Sequence, residues 1–124
     1  MKVLLTDDST TMRKIQRRVL TDMGITDVTE AGNGKECLEK LKEANYDFTF
    51  LLLDINMPEM NGIDTLKQIR ATKESAALPV IMCTSVAEKS QVLEAIKAGA
   101  SNYVVKPFQP DDLKQKIEAT LGKK

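Results

Sequence analysis

With 124 residues, 42% of them apolar, the chain is sized for one domain with a single hydrophobic core. Its 18 basic and 18 acidic side chains cancel, so bulk charge draws it neither to nucleic acid nor to an anionic membrane. It has no histidine, which excludes imidazole general bases, His-ligated zinc and a phosphohistidine carried on this chain.

Met1 and Lys2 lead straight into an apolar run, with no separate signal segment, and no run approaches the ~18 apolar residues of a membrane span. A cytoplasmic protein is expected. Lys2 to Thr6 (KVLLT) reads as a buried strand. Ser9 then caps a helix whose apolar positions Met12, Ile15, Val19, Leu20 and Met23 follow helical spacing, and Gly24 ends it. Thr26 to Glu30 gives a second, weaker strand. Asn33 with Glu36 forms a capping-box pattern before a helix that buries Cys37, Leu38 and Leu41.

Phe48 to Leu53 (FTFLLL) is the most continuously apolar stretch, as suits a strand covered on both faces, and it stops abruptly at Asp54. After the loop from Met57 to Gly62, residues Ile63, Leu66 and Ile69 mark a third helix. Pro79 opens a fourth strand (PVIMCT), followed by a helix around Val92, Leu93 and Ile96 that Gly99 terminates. Asn102 to Val105 is a fifth strand. Pro110 sits at the first position of the last helix, with Asp111 and Asp112 in its positive first turn and Lys123 and Lys124 beyond its negative end. Leu113, Ile117 and Leu121 form its apolar stripe.

Alternating strands and helices imply an α/β fold: a parallel sheet with helices on both faces and right-handed crossovers. No linker or low-complexity tract divides the chain, so one domain spanning 1–124, without an effector domain, is expected. Cys37 and Cys83 form neither a CxxC pair nor a metal-spaced cluster, and read as small buried apolar residues rather than a disulfide.

In such sheets ligands bind at the carboxyl ends of the strands. There the first strand delivers Asp7 and Asp8, the third Asp54, the fourth Thr84 and Ser85, and the fifth Lys106 and Pro107. Taken singly, each has a plain structural reading: Asp7-Asp8 as a helix cap, Asp54 as a solvated loop aspartate, Thr84 as an ordinary strand end, Lys106 as a solvated charge. Their arrival at one edge is harder to assign to chance. If the first and third strands are neighbours, three carboxylates crowd together and repel unless a cation intervenes. A hard divalent ion with oxygen ligands resolves this, and Mg²⁺ fits because it takes a few carboxylates and keeps several waters. With Lys106 added, the site is near neutral and ready for an incoming phosphoryl group.

The motifs DDS at Asp7–Ser9, LLLDINMPEMNG across Leu51–Gly62, LPVIMCTS across Leu78–Ser85 and AGASNYVVKPF across Ala98–Phe108 resemble those of the CheY-like receiver family of two-component signalling, over essentially the whole chain. That resemblance implies a flavodoxin-like, doubly wound (βα)5 fold with strand order 2-1-3-4-5, the order that general accounts of such sheets illustrate with this family. It implies a phosphorylation-activated switch protein rather than an enzyme, its only chemistry being Mg²⁺-dependent self-phosphorylation from donors and autodephosphorylation. Asp54 is then the phosphoacceptor, Asp8 and Asp54 direct Mg²⁺ ligands, Asp7 a ligand through water, and Asn56 a ligand through its backbone carbonyl; Mn²⁺ can substitute. Lys106 pairs with the acyl phosphate, Lys106-Pro107 matches a bond often cis in the family, and Thr84 and Tyr103 match the switch pair.

By the same resemblance the expected output face includes Ala87, Lys89, Val92, Tyr103 and Lys116. The expected phosphodonor is a CheA-like sensor histidine kinase and the target a FliM-like flagellar switch protein, with a dedicated phosphatase as a further partner and the chain monomeric. Thr6 and Val86 depart from the usual pattern. Val86 is apolar where many members carry a polar residue, which predicts slower self-dephosphorylation. A stand-alone phosphorelay intermediate is the other reading within signalling. The rival from another class, a haloacid-dehalogenase-like phosphatase, needs a second aspartate two residues after the nucleophile; that position is Asn56.

Overall fold

The computed structural model describes residues 1–85, 89–106 and 108–122, with the side chain of Lys89 also outside the description. In chain order the elements are β1 (Lys2–Thr6), α1 (Thr10–Asp22), β2 (Asp27–Ala31), α2 (Gly34–Glu43), β3 (Phe50–Asp54), α3 (Gly62–Ala71), a 3-10 turn (Lys73–Ser75), β4 (Val80–Ser85), α4 (Lys89–Lys97), β5 (Asn102–Lys106) and α5 (Pro110–Leu121). All strand pairs are parallel and the order is β2-β1-β3-β4-β5, as expected from the alternation and the resemblance. Among the described residues, no helix is long and apolar enough to cross a membrane.

The strands bury both faces because alternate side chains point oppositely. Val3, Leu5, Phe50, Leu52, Ile81, Cys83 and Val104 pack with Val19 and Leu20 of α1 and Leu113 and Ile117 of α5. Leu4, Leu51, Leu53, Val80 and Met82 pack on the other face against Cys37 and Leu41 of α2, Ile63, Leu66 and Ile69 of α3, and Ala95 of α4. Local chemistry sets the helix starts. Ser9 accepts the Met12 amide at 3.1 Å, Asn33 the Glu36 amide at 2.8 Å and Asn61 the Asp64 amide at 2.9 Å. Glu36 reaches back to the Gly32 amide at 3.1 Å, one residue before the cap. Gly24 and Gly99 adopt φ of +84° and +108°, the left-handed conformation that closes a helix.

Two helix phases differ from expectation. On α1 the residue turned inward is Gln16, while Ile15 is 43% exposed. Gln16 lies in line with Val19 and Leu20, and its amide donates to Cys83 Sγ at 3.4 Å, so a polar side chain occupies the core-facing stripe. On α4, Leu93 and Ile96 are 67% and 47% exposed, and among its described side chains Ala95 is the one buried in the core. The helix seats on a small side chain and turns its larger apolar ones outward. The second strand begins at Asp27 rather than Thr26 and extends to Ala31. Cys37 and Cys83 are free and buried, as expected, and burial pushes both thiols up to about 12.

Candidate functional site

The strand period decides what shares a face at the carboxyl edge. Continuing two residues from Leu5, Leu52 and Val104, all on the α1/α5 side, brings Asp7, Asp54 and Lys106 to that same side. Register aligns them: Thr6 lies opposite Leu53, Asp54 opposite Cys83, and Ser85 opposite Lys106. The Lys106 ammonium accordingly donates to Asp7 Oδ2 at 2.8 Å and to Asp54 Oδ1 at 3.0 Å. Asp7 is fully buried and Asp54 is 5% exposed. Asp8 is exposed, yet one carboxylate oxygen from each of Asp7, Asp8 and Asp54 falls within a 4.8 Å cluster.

Burial alone pulls the Lys106 ammonium down. The hydrogen bonds and charges of Asp7 and Asp54 outweigh it and raise the group to about 12. The amine is therefore cationic at any physiological pH. One ammonium against three carboxylates still leaves net negative charge. An all-oxygen, acid-rich donor set of this kind suits a small hard divalent cation. The acids can hold such a metal.

The backbone around Asp54 is tightly held. The Ile55 amide donates to the Cys83 carbonyl at 3.2 Å, and the Gly62 amide to the Ile55 carbonyl at 2.7 Å. A Cβ on Gly62 would lie 2.0 Å from the Asp54 carbonyl oxygen, so only glycine lets α3 start this close to the end of β3. Asn56, two residues past Asp54, has an exposed side chain.

Thr84 is buried, and its hydroxyl donates to the Ser85 carbonyl at 3.3 Å. It follows Cys83 and so points to the opposite face, the one on which Met82 and Tyr103 pack. Tyr103 is half-buried, opposite Met82, with the Lys116 ammonium 5.1 Å from its ring centroid. Val92 is half-buried on α4. Among the expected residues, Val86, Ala87, Pro107, Lys123 and Lys124 lie outside the described residues, as does the Lys89 side chain.

Sequence reasoning passed over Arg13, Arg17 and Glu30. Glu30 accepts from Arg13 Nε at 2.8 Å and from Arg17 Nε at 2.9 Å, while Arg13 also donates to the Asp7 carbonyl. Partial burial pushes Glu30 up, but its hydrogen bonds and charge contacts with Arg17 and Arg13 outweigh that and hold it below the usual carboxylate range. The available signal was an acid within a strand, with two arginines at i, i+4 on the helix after the neighbouring strand.

A sequence profile for the response regulator receiver domain matches residues 3–118. The chain is 49% identical over 122 residues to chemotaxis protein CheY1 of Helicobacter pylori, covering 98% of both chains. It is 47% identical over 118 residues to chemotaxis protein CheY of Pseudomonas aeruginosa, covering 95% of this chain and 94% of that one. The structure superposes on the chemotaxis response regulator CheY4 of Vibrio cholerae with a TM-score of 0.88 at 32% identity, covering 97% and 98%. It superposes on the receiver domain of NtrX from Brucella abortus with a TM-score of 0.87 at 25% identity, covering 99% and 100%.

Proposed function

The chain belongs to the response regulator receiver domain family of two-component signalling, and from that premise we propose that Asp54 accepts a phosphoryl group from a phosphohistidine on a CheA-like kinase. One observation carries the reading: a lysine bridges two buried carboxylates at the strand ends, with a third, exposed acid completing the cluster. A carboxylate oxygen of Asp54 attacks phosphorus, the bond to the histidine nitrogen breaks, and an acyl phosphate forms. Lys106 holds the Asp54 carboxylate oriented beforehand, then pairs with phosphoryl oxygens.

Asp8 and Asp54 would bind Mg²⁺ directly, Asp7 through water and Asn56 through its carbonyl, with Mn²⁺ as a substitute. When bound, the cation neutralises charge that develops on the transferring group. Receiver domains are regulatory switches rather than turnover enzymes, and the missing second aspartate at Asn56 agrees with that.

Signalling then runs through Thr84. Its hydroxyl is one residue past the partner of Asp54 in β4, and turning from the Ser85 carbonyl to the phosphoryl group makes a charge-assisted hydrogen bond. Such a bond contributes roughly 2 kcal/mol, enough to shift a two-state equilibrium about thirtyfold. Tyr103 shares the face of Thr84 and follows it inward. The surface of α4, β5 and α5, with Val92, Tyr103 and Lys116, is the docking face, to which the family resemblance adds Ala87 and Lys89. Relatives named as chemotaxis proteins support a FliM-like flagellar switch as its target.

The test is incubation with acetyl phosphate and Mg²⁺ followed by intact mass measurement. Addition of one phosphoryl group to the wild type and none to Asp54→Asn is expected; equal labelling of both removes Asp54 from the role. Binding to a flagellar switch peptide with and without beryllofluoride then tests the output, and equal binding in both states counts against the motor reading.

A further inference from the structure

The Arg13 cluster lies just outside the acid site and is not used by the chemistry above. The contacts around it converge on the main chain of one residue, Asp7. The Asp7 amide donates to the Ala31 carbonyl at 3.1 Å, extending the β1–β2 ladder one residue past the end of β1. The Asp7 carbonyl accepts from Arg13 Nη1. Arg13 Nε donates to Glu30 in β2 at 2.8 Å, and its Nη2 reaches Thr10 Oγ1 at 3.4 Å. The main chain of Asp7 is thus held from β2 on one side and from α1 on the other.

The Asp7 carbonyl belongs to the planar peptide that carries the Asp8 amide. Holding that oxygen sets the plane from which Asp8 departs. Asp7 itself has independent anchors, because its carboxylate accepts from Lys106 at 2.8 Å and from the Ser9 amide at 2.9 Å. Asp8 is exposed, so the peptide before it is where its direction can be fixed.

Resting on the reading of the acids as divalent-cation ligands, we propose that Arg13 is a positioning residue for the acid pair, its guanidinium fork fixing the Asp7–Asp8 peptide so that the Asp8 carboxylate stays aimed into the site. The fork matters more than the charge. A guanidinium presents separate donors at set angles to Glu30 and to the Asp7 carbonyl, whereas an ammonium is a single point that cannot reproduce both directions. Arg17 is the internal control: it donates to the same Glu30 carboxylate and to the Val28 carbonyl at 3.2 Å, with its hydrogen bonds going to β2 rather than to Asp7.

Calorimetric titration with MnCl2 alone, on wild type, Arg13→Lys and Arg17→Ala, separates positioning from scaffolding. Arg13→Lys is expected to weaken Mn²⁺ binding about tenfold, the scale of losing an outer contact to a metal ligand. Arg17→Ala is expected to stay within about twofold while melting lower, since a partly exposed ion pair contributes modestly. In the metal-free proteins, the Asp8 amide ¹⁵N–¹H resonance is expected to move in Arg13→Lys and to stay in Arg17→Ala. Equal weakening by both variants, or an unmoved Asp8 amide in Arg13→Lys, overturns the inference and leaves Arg13 as scaffold. A wild type that binds no Mn²⁺ overturns the cation reading and the inference together, while phosphoryl transfer measured separately shows whether Asp54 is still the acceptor.

Discussion

Asp54 and Gly62 meet backbone to backbone: the glycine sits so close that a methyl group on it would lie 2.0 Å from the aspartate carbonyl oxygen and 2.9 Å from Ile55 Cα. Neither obstacle is a flexible side chain, so no rotamer change relieves it. Gly62→Ala is expected to destabilise the protein by about 2–3 kcal/mol, in the upper range for overpacking. It is also expected to slow labelling of Asp54 by acetyl phosphate. Urea unfolding checks the first effect, and an unchanged midpoint would mean that the start of α3 has room to shift.

Removing an acid from an over-charged site relieves repulsion. Asp8 contributes a carboxylate to a cluster that Lys106 only partly neutralises. Asp8→Asn is therefore expected to raise the melting temperature in metal-free buffer and to lose the further stabilisation that Mg²⁺ gives the wild type. Thermal melts with and without millimolar Mg²⁺ decide it; a lower metal-free melting temperature would contradict the electrostatic account.

Lys106→Met acts oppositely. It leaves Asp7 and Asp54 buried without their cation, a loss of roughly 3 kcal/mol by analogy with broken buried pairs. Partial rescue by Mg²⁺ is expected, because a divalent ion replaces the missing charge. Denaturant midpoints measured across a Mg²⁺ series report both effects, and a stability indifferent to the ion would sink the prediction.

Glu30 gives a pH signature. Its folded pKa is depressed, so its stabilisation is present above the unfolded value of about 4.3 and is lost as pH falls through the folded pKa. Glu30→Gln is expected to lower stability near neutrality by about 0.5–1 kcal/mol, a modest figure because the side chain is 34% exposed. The gap between variant and wild type should close on acidification. A gap that stays constant from neutral to acid pH would rule out the charge as its origin.

The buried thiols give a chemical check on the core. With Cys37 and Cys83 both pushed up to about 12 and inaccessible, neither is expected to react with a disulfide reagent in the native state, and both should react in denaturant. Rapid native labelling would show that one of them reaches the surface.

Most of the site was legible because each strand carries its chemistry at its last residues and the two-residue period does the sorting. Asp7, Asp54 and Lys106 are all in phase with core residues on one face, so the sequence constrains them twice, by position and by parity. The helices were less legible. In α1 the same spacing admits Ile15 or Gln16 as the inward residue, and the choice depends on Cys83, distant in sequence. In α4 there are more apolar residues than places to bury them, so hydrophobicity alone misassigns Leu93 and Ile96. Arg13 escaped because its partners are a backbone carbonyl and a residue on another strand, which no linear motif encodes.

The seating of α4 has a mechanical consequence. Where α3 plants Ile63, Leu66 and Ile69 in the core, the described side chains of α4 bury only the methyl of Ala95 there, and a methyl contributes a small fraction of what a buried leucine or isoleucine does. Lifting or turning α4 thus forfeits little hydrophobic contact compared with disturbing its neighbours. A modest push from the end of β4 would be spent there first, leaving the sheet beneath it unchanged.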